Sequence, residues 1–341
     1  MQQPSAVAIA AFNEGLARFW QPVALAASIG EAPVATELLE RPLCLIRLEG
    51  EVRAFDDVCR HLGASLSIGE VVSVDGAPAL RCRYHGWTYD ATGRVVDIPA
   101  RRDLPIPREA KVGSYHCREA YGLVWVCLAE APAAGLPAYP EHDDPRFRPT
   151  AYRVYEPWTA SATRIVMGAL DDTHFAWVHP GTLGDPEHPE PPDHEASVRG
   201  DHMLAEYTIR QPANVSLGSA PDAAGLEEVR YANHAHPTTI RLLKQAPGGN
   251  FVLFQTMQPL AYNRTRIYLQ VARDFDLDPA RDEAYLQFED VVQSQDRPVV
   301  ESQRPWLLPP LNARLTLYIR PADLPLVVYQ RWMEELGIPQ L

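Results

Sequence analysis

The sequence predicts an α+β protein of two domains, a strand-rich first part and a mixed second part. Three observations carry this. From Pro22 to Val126, short apolar runs alternate with turn residues. Five more segments between residues 204 and 273 favour strands, several with alternating polarity. Near the end, two helical patterns follow, each with recognisable end signals. The 341 residues suffice for two ordinary cores, and 46% hydrophobic with 22% charged residues is ordinary globular composition.

The elements can be justified in order. Residues 5–19 suit a short amphipathic helix ending at Trp20-Gln21-Pro22. Pro42–Arg47 and Val52–Phe55 are short apolar runs broken by Gly50 and Asp56-Asp57, and Ala91-Thr92-Gly93 reads as a hairpin turn. Gly122–Leu128 is a buried strand that closes the first domain. Residues 129–149, rich in Ala, Pro and acidic groups, read as the crossing, so the expected domains are 1–149 and 150–341. In the second, strands are expected at 204–210, 228–235, 239–245, 250–259 and 265–273, and 180–200 as an exposed proline-rich loop. Asp278 is placed to N-cap a helix with Pro279 at its first position and Tyr285, Phe288, Val291 and Val292 on one face. A last helix from about Asp323 carries Val327, Val328, Met333 and Leu336, with Gly337 as its C-terminal cap.

A net charge of −13 speaks against nucleic acid or an anionic membrane as partner. The N-terminus lacks the basic region of a signal peptide, and no apolar run is long enough to span a bilayer. Five cysteines, an odd number, suit a reducing cytoplasm better than a disulfide framework. Cys44, Cys117 and Cys127 lie in apolar contexts and read as core residues.

The remaining two cysteines sit in Cys59-x-His61 and Cys82-x2-His85-Gly86-Trp87, with twenty residues between His61 and Cys82. Each pair can offer one sulfur and one nitrogen from a single short loop. Two such loops suit a two-iron cluster with cysteines on one iron and histidines on the other. Zinc is the alternative, although a zinc finger more often pairs its cysteines in one knuckle and its histidines on a helix.

A second constellation is Asp171-Asp172-Thr173-His174 with His179-Pro180. On a helix Asp171 and His174 share a face, while His179 is turned away from His174 by about 140°. Both histidines can face one metal only if the helix ends between them, and Pro180 biases His179 out of helical backbone. Two histidines and a carboxylate would form the facial triad of mononuclear non-haem Fe(II); a helix end with two hydrogen-bonded histidines is the other reading. The carboxylate must come from elsewhere. On local grounds Glu289, Asp290, Asp296 and Glu301 are equal candidates, Asp296 lying on a helix interrupted at Pro298.

Taken together, these motifs resemble the catalytic α subunit of a Rieske non-haem iron oxygenase, in the α-only group of phthalate dioxygenase, dicamba O-demethylase and the caffeine N-demethylases. The likeness extends to His179–Leu183, Glu190–Pro192, Asp296–Gln303 and Tyr329–Trp332. It implies an N-terminal all-β Rieske [2Fe–2S] domain and a helix-grip catalytic domain with an antiparallel sheet. It implies cluster ligands Cys59, His61, Cys82 and His85, and Fe(II) ligands His174, His179 and Asp296. Asp171 takes the place of the aspartate that links a neighbouring subunit's cluster histidine, here His85, to an iron ligand. A head-to-tail homotrimer is implied with it.

Two features depart from the family pattern. Ser73–Pro78 looks like an insertion between the ligand loops, and Gly168 stands where Asn or Glu is frequent. Arg60, Arg81, Arg83, Arg101 and Arg102 flank the cluster loops and read as a docking face for an electron donor or as a solvated face. Trp87 is expected against the cluster loop, and His234 and His236 as pocket lining or packing, not metal ligands.

The activity implied is monooxygenation by O2 of a small aromatic or heterocyclic molecule, with N- or O-demethylation ahead of hydroxylation. Electrons would come from NAD(P)H through a separate flavin/iron–sulfur reductase. The alternatives are a cis-dihydroxylating dioxygenase, a Rieske electron carrier without a working iron, and a ligand-binding protein with structural zinc.

Overall fold

The computed structural model describes residues 3–219, 225–319 and 321–338. The chain divides into two compact units, Ala17–Gly135 and a second formed by the described residues up to Leu16 and from Leu136 onward. The described residues up to Leu16, grouped with the first domain on sequence, therefore cluster with the second unit.

In the first unit the strands are β1 (Gln21–Leu25), β2 (Val34–Leu38), β3 (Arg41–Leu48), β4 (Glu51–Asp56), β5 (Glu70–Val74), β6 (Ala77–Arg81), β7 (Thr88–Tyr89), β8 (Val95–Asp97), β9 (Ser114–Ala120) and β10 (Leu123–Cys127). They form a six-stranded sheet in the order β1-β10-β9-β4-β3-β2 and a four-stranded sheet β5-β6-β7-β8. Every residue of β10 is buried, as its unbroken apolar run requires. The apparent insertion at Ser73–Pro78 is a two-residue hairpin joining β5 to β6, with Asp75 and Gly76 both at positive φ. That geometry is what an Asp-Gly pair favours.

In the second unit, α1 (Ala6–Ala17) buries Ala8, Phe12, Gly15 and Leu16 along one face. The strands β11 (Arg148–Pro149), β12 (Arg153–Trp158), β13 (Glu195–Arg199), β14 (His202–Pro212), β15 (Leu226–His236), β16 (Thr239–Ala246), β17 (Gly249–Ala261) and β18 (Arg264–Arg273) form one antiparallel sheet. Its order is β11-β18-β17-β16-β15-β14-β13, with β12 also paired to β18. The five expected strands are all present, but β13 takes up the end of the stretch read as loop.

Helix α2 (Ala162–Leu170) is capped by Ser161, α3 (Phe175–Val178) is a single turn, α4 spans Asp282–Ser302 and α5 Leu324–Glu335. Asp278 caps a turn of 3-10 helix that leads into α4, and the fully buried Arg273 ties that helix start to β18 through Asp282, at 2.8 Å. Helix α4 runs on past Pro298 to Ser302 instead of breaking there. Its inward stripe is Tyr285, Leu286, Glu289, Val292, Gln293 and Val300; Val291, expected among them, is 51% exposed. Tyr285, Leu286 and Val292 pack with Tyr207, Tyr231, Leu253 and Val271 of the sheet, the helix-grip arrangement. At the end of α5, Gly337 has φ +65 and the Ile338 amide returns to the Met333 carbonyl, a Schellman-type stop.

Candidate metal centres

The two loops of the first unit are built alike. In the loop after β4 the Gly63 amide donates to the Cys59 carbonyl, and the Cys59 amide donates to the Ala64 carbonyl. In the loop between β6 and β7 the Gly86 amide donates to the Cys82 carbonyl, and the Cys82 amide donates to the Trp87 carbonyl. Both glycines have φ +75, a conformation that other residues adopt only with strain. Each loop thus turns its cysteine inward: Cys59 and Cys82 are 3% and 1% exposed, whereas His61 and His85 are exposed. The two imidazoles meet with ring centroids 4.5 Å apart, and Trp87 stacks on His61 at 4.8 Å and nearly parallel. None of the five cysteines is in a disulfide; Cys44 and Cys127 are buried as expected, while Cys117 is only partly so.

Two buried sulfurs beside two exposed nitrogens fit a [2Fe–2S] cluster with one thiolate-bound and one imidazole-bound iron. The buried Tyr89 hydroxyl accepts from the Arg60 amide at 3.0 Å, which leaves its proton to point at Cys59 Sγ, 3.1 Å away. Such a bond favours the more negative, reduced cluster. Tyr89→Phe is expected to lower the midpoint potential by about 40–60 mV, the worth of roughly 1–1.4 kcal/mol for a one-electron couple. Protein-film voltammetry of the purified protein measures it, with the EPR line shape as a check that the cluster is intact.

Of the arginines near the loops, Arg81, Arg101 and Arg102 pair with Glu70, Asp103 and Asp97. Arg60 and Arg83 are exposed.

In the second unit, α2 stops at Leu170, Asp171 is its C-cap, and His174 and His179 flank the single turn of α3. His179 leaves helical backbone (φ −121, ψ 48), which lets two histidines five residues apart face one point. Asp296 comes in from α4. His174 Nε2 lies 3.2 Å from His179 Nε2, and Asp296 Oδ1 lies 2.9 Å from His179 Nε2 and 3.5 Å from His174 Nε2. Ligand bonds of about 2.1 Å at right angles separate neighbouring donor atoms by about 3.0 Å, so this triangle fits one face of an octahedral ion.

The rival carboxylates are engaged elsewhere or set apart. Asp290 binds Arg153 and Tyr155, and Glu301 binds the Thr159 amide and Arg297. Glu289 is buried farther along the same helix face.

Outer partners orient the histidines. Gln295 Oε1 accepts from His179 Nδ1 at 2.7 Å, which leaves Nε2 as the free donor atom. Asp171 Oδ2 is 3.4 Å from His174 Nδ1, while its other oxygen accepts from the Thr173 amide and hydroxyl. Burial opposes charge on both groups, but their mutual attraction prevails and holds the Asp171 carboxyl low and the His174 imidazole high. Nothing in the sequence pattern marked Gln295; only its place beside Asp296 gave a hint.

The triad opens onto a cleft with apolar walls from Trp158, Ile165, Tyr231, Phe288 and Val300, among others. The cleft holds about 640 Å³ of empty space, open solvent at its mouth included. Gly168 is on its wall, where a Cβ would meet only Val300 Cγ2, at 3.5 Å. Lys244 and Glu289, which sequence reading did not single out as a pair, line it too. His234 and His236 sit on β15 beside His202, with ring centroids 5.2 and 5.7 Å from it, and are not among the cleft-lining residues.

Comparison with known proteins agrees with this architecture. Residues 19–109 match the Rieske [2Fe-2S] domain and residues 158–337 the vanillate O-demethylase oxygenase C-terminal domain. The methylxanthine N1-demethylase NdmA of Pseudomonas putida is 31% identical over 95% of this chain and 90% of its own length. The methylxanthine N3-demethylase NdmB of the same organism is 31% identical with the same coverage. The solved structure of NdmA with caffeine superposes with a TM-score of 0.81, covering 96% of this chain and 92% of that one. The chain belongs to the Rieske non-haem iron oxygenases, oxidoreductases that join a [2Fe–2S] domain to a mononuclear iron domain.

Proposed function

We propose that the protein is the oxygenase component of a reductase-fed system that removes N- or O-methyl groups from a small aromatic or heterocyclic substrate. The observation that carries this is the His174–His179–Asp296 triangle at the wall of an apolar cleft. The relatives' names add demethylation to it. Cys59, His61, Cys82 and His85 would hold the [2Fe–2S] cluster, and His174, His179 and Asp296 the Fe(II). When bound, the cluster supplies single electrons and the Fe(II) supplies dioxygen activation.

The chain's own residues do the rest. Gln295 and Asp171 fix which nitrogen of each histidine is free. The apolar wall keeps bulk water from the reacting carbon. Overall, a methyl group, O2, NAD(P)H and a proton give the demethylated product, formaldehyde, water and NAD(P)+. The electrons would come from a flavin/iron–sulfur reductase.

Asp171 is also the proposed bridge to His85 of a neighbouring copy in a homotrimer. The exposure of His85 and the 26% exposure of the Asp171 side chain support it. Among the described residues no helix is long and apolar enough to cross a membrane. Five cysteines, none of them in a disulfide, support a cytoplasmic setting.

The test is a panel of N-methyl and O-methyl aromatics, incubated with the iron-loaded protein, a reductase and NADH. Formaldehyde, O2 consumption and NADH oxidation are expected in equal amounts for the true substrate. Hydroxylated product that keeps its methyl group would overturn demethylation.

A further inference from the structure

Within the apolar cleft two charged side chains are buried: Lys244 of β16 is 4% exposed and Glu289 of α4 is 2% exposed. Lys244 Nζ is held 5.2 to 5.8 Å from the ring centres of Phe251, Tyr231 and Phe288 and donates to Ser216 Oγ at 3.0 Å. That leaves donor capacity on the ammonium. Glu289 has no hydrogen bond and no ion-pair contact among the described residues, although Lys244 is near enough to act on its charge. Burial pushes Glu289 up to about 7 and Lys244 down to about 8, the cost of keeping two such groups from water. A fold rarely retains a buried carboxyl without a partner unless something else completes it. The Gln255–Gln293 pair in the same wall, by contrast, satisfies itself at 3.0 Å.

We infer that Lys244 and Glu289 are the substrate-reading groups, and that the substrate is an uncharged planar aromatic or heteroaromatic molecule with an amide-like edge, its carbonyl facing Lys244 and its N–H facing Glu289. The inference rests on the oxygenase reading and names the substrate class of that site. An uncharged ligand follows because a carboxylate that satisfied Lys244 would be set against Glu289. A planar one follows from the aromatic walls, where rings stack well. Glu289 precedes Asp296 by seven residues on one helix face, about 10 Å of helix rise. The carbon presented to the metal centre therefore lies across the ring system from the amide edge.

Direct binding to the iron-loaded protein, without reductase, tests this by calorimetry. The probes are 2-quinolinone, N-methyl-2-quinolinone, naphthalene and 2-naphthoate. In the wild type 2-quinolinone should bind about tenfold or more tighter than the N-methyl compound and naphthalene. Glu289→Leu should erase the preference for N–H over N-methyl. The double variant Lys244→Met/Glu289→Leu leaves no unpaired buried charge and should bind naphthalene as well as 2-quinolinone. The inference is overturned if the double variant keeps the wild-type order, if 2-naphthoate binds the wild type more tightly than 2-quinolinone, or if 2-quinolinone shows no binding at millimolar concentration. The wild-type ratios need no variant to fold. Iron content and O2 uptake are scored separately, so failure of the oxygenase reading is told apart from failure of this one.

Discussion

Asp296→Ala is expected to lower iron from three to two per chain, the two of the cluster remaining, with visible and EPR signals of the [2Fe–2S] centre unchanged. Oxygen-dependent turnover should fall by more than about 100-fold, since outer-sphere partners alone are worth about 10–100-fold in metal affinity. Asp296 supplies the one oxygen of the triangle, 2.9 Å from His179 Nε2. Its removal leaves two imidazole nitrogens 3.2 Å apart that can share a proton, so thermal stability should change little. Iron and acid-labile sulfide analysis of anaerobically purified protein decides it. Three irons retained in the variant would move the third ligand to another carboxylate, and Glu289, buried on the same face of α4, is where to look next.

Cys82→Ser should produce the other half of the pattern: cluster colour and EPR signal lost, acid-labile sulfide near zero, and iron reduced to about one per chain. A hydroxyl is a poor substitute for a thiolate toward iron. Cys82 is also 1% exposed, so a misplaced ligand cannot be replaced by water without opening the loop. Because cluster binding and loop order are coupled, the first unit should lose stability as well. Stepwise thermal unfolding would show an early transition that is absent from Asp296→Ala. An unchanged spectrum would place the sulfur ligand elsewhere, with Cys44 of the same core cluster the nearest candidate by packing. Opposite losses in the two variants would establish two separate centres.

The strand pattern of the second unit was legible because β14 to β18 are long, β14 to β16 partly alternating in burial and β17 and β18 forming nearly unbroken buried runs. β12 and β13 were not, being short and half-exposed. The Asp75-Gly76 pair carries a strong local turn signal, and the segment expected as an insertion takes the hairpin backbone that such a pair prefers. Pro298 misled in the other direction. Helix α4 continues through it, showing that packing of Tyr285, Val292 and Val300 outweighs one missing amide donor.

By itself, the sequence marked the candidate groups that are near neighbours along the chain. Cys59 with His61, Cys82 with His85, and His174 with His179 and Pro180 are each brought near one another by loop and helix-end geometry within a few residues. Tertiary structure alone decided which distant groups complete those sites. It brought Asp296 rather than Asp290 or Glu301 to the histidines, set Gln295 behind His179 and Tyr89 on Cys59, and enclosed Lys244 with Glu289 in the cleft. The physical reason is that a carboxylate on a helix carries no local mark of its partner. Its role is assigned by the packing of α4 across the sheet, and that packing is summed over contacts far apart in the chain.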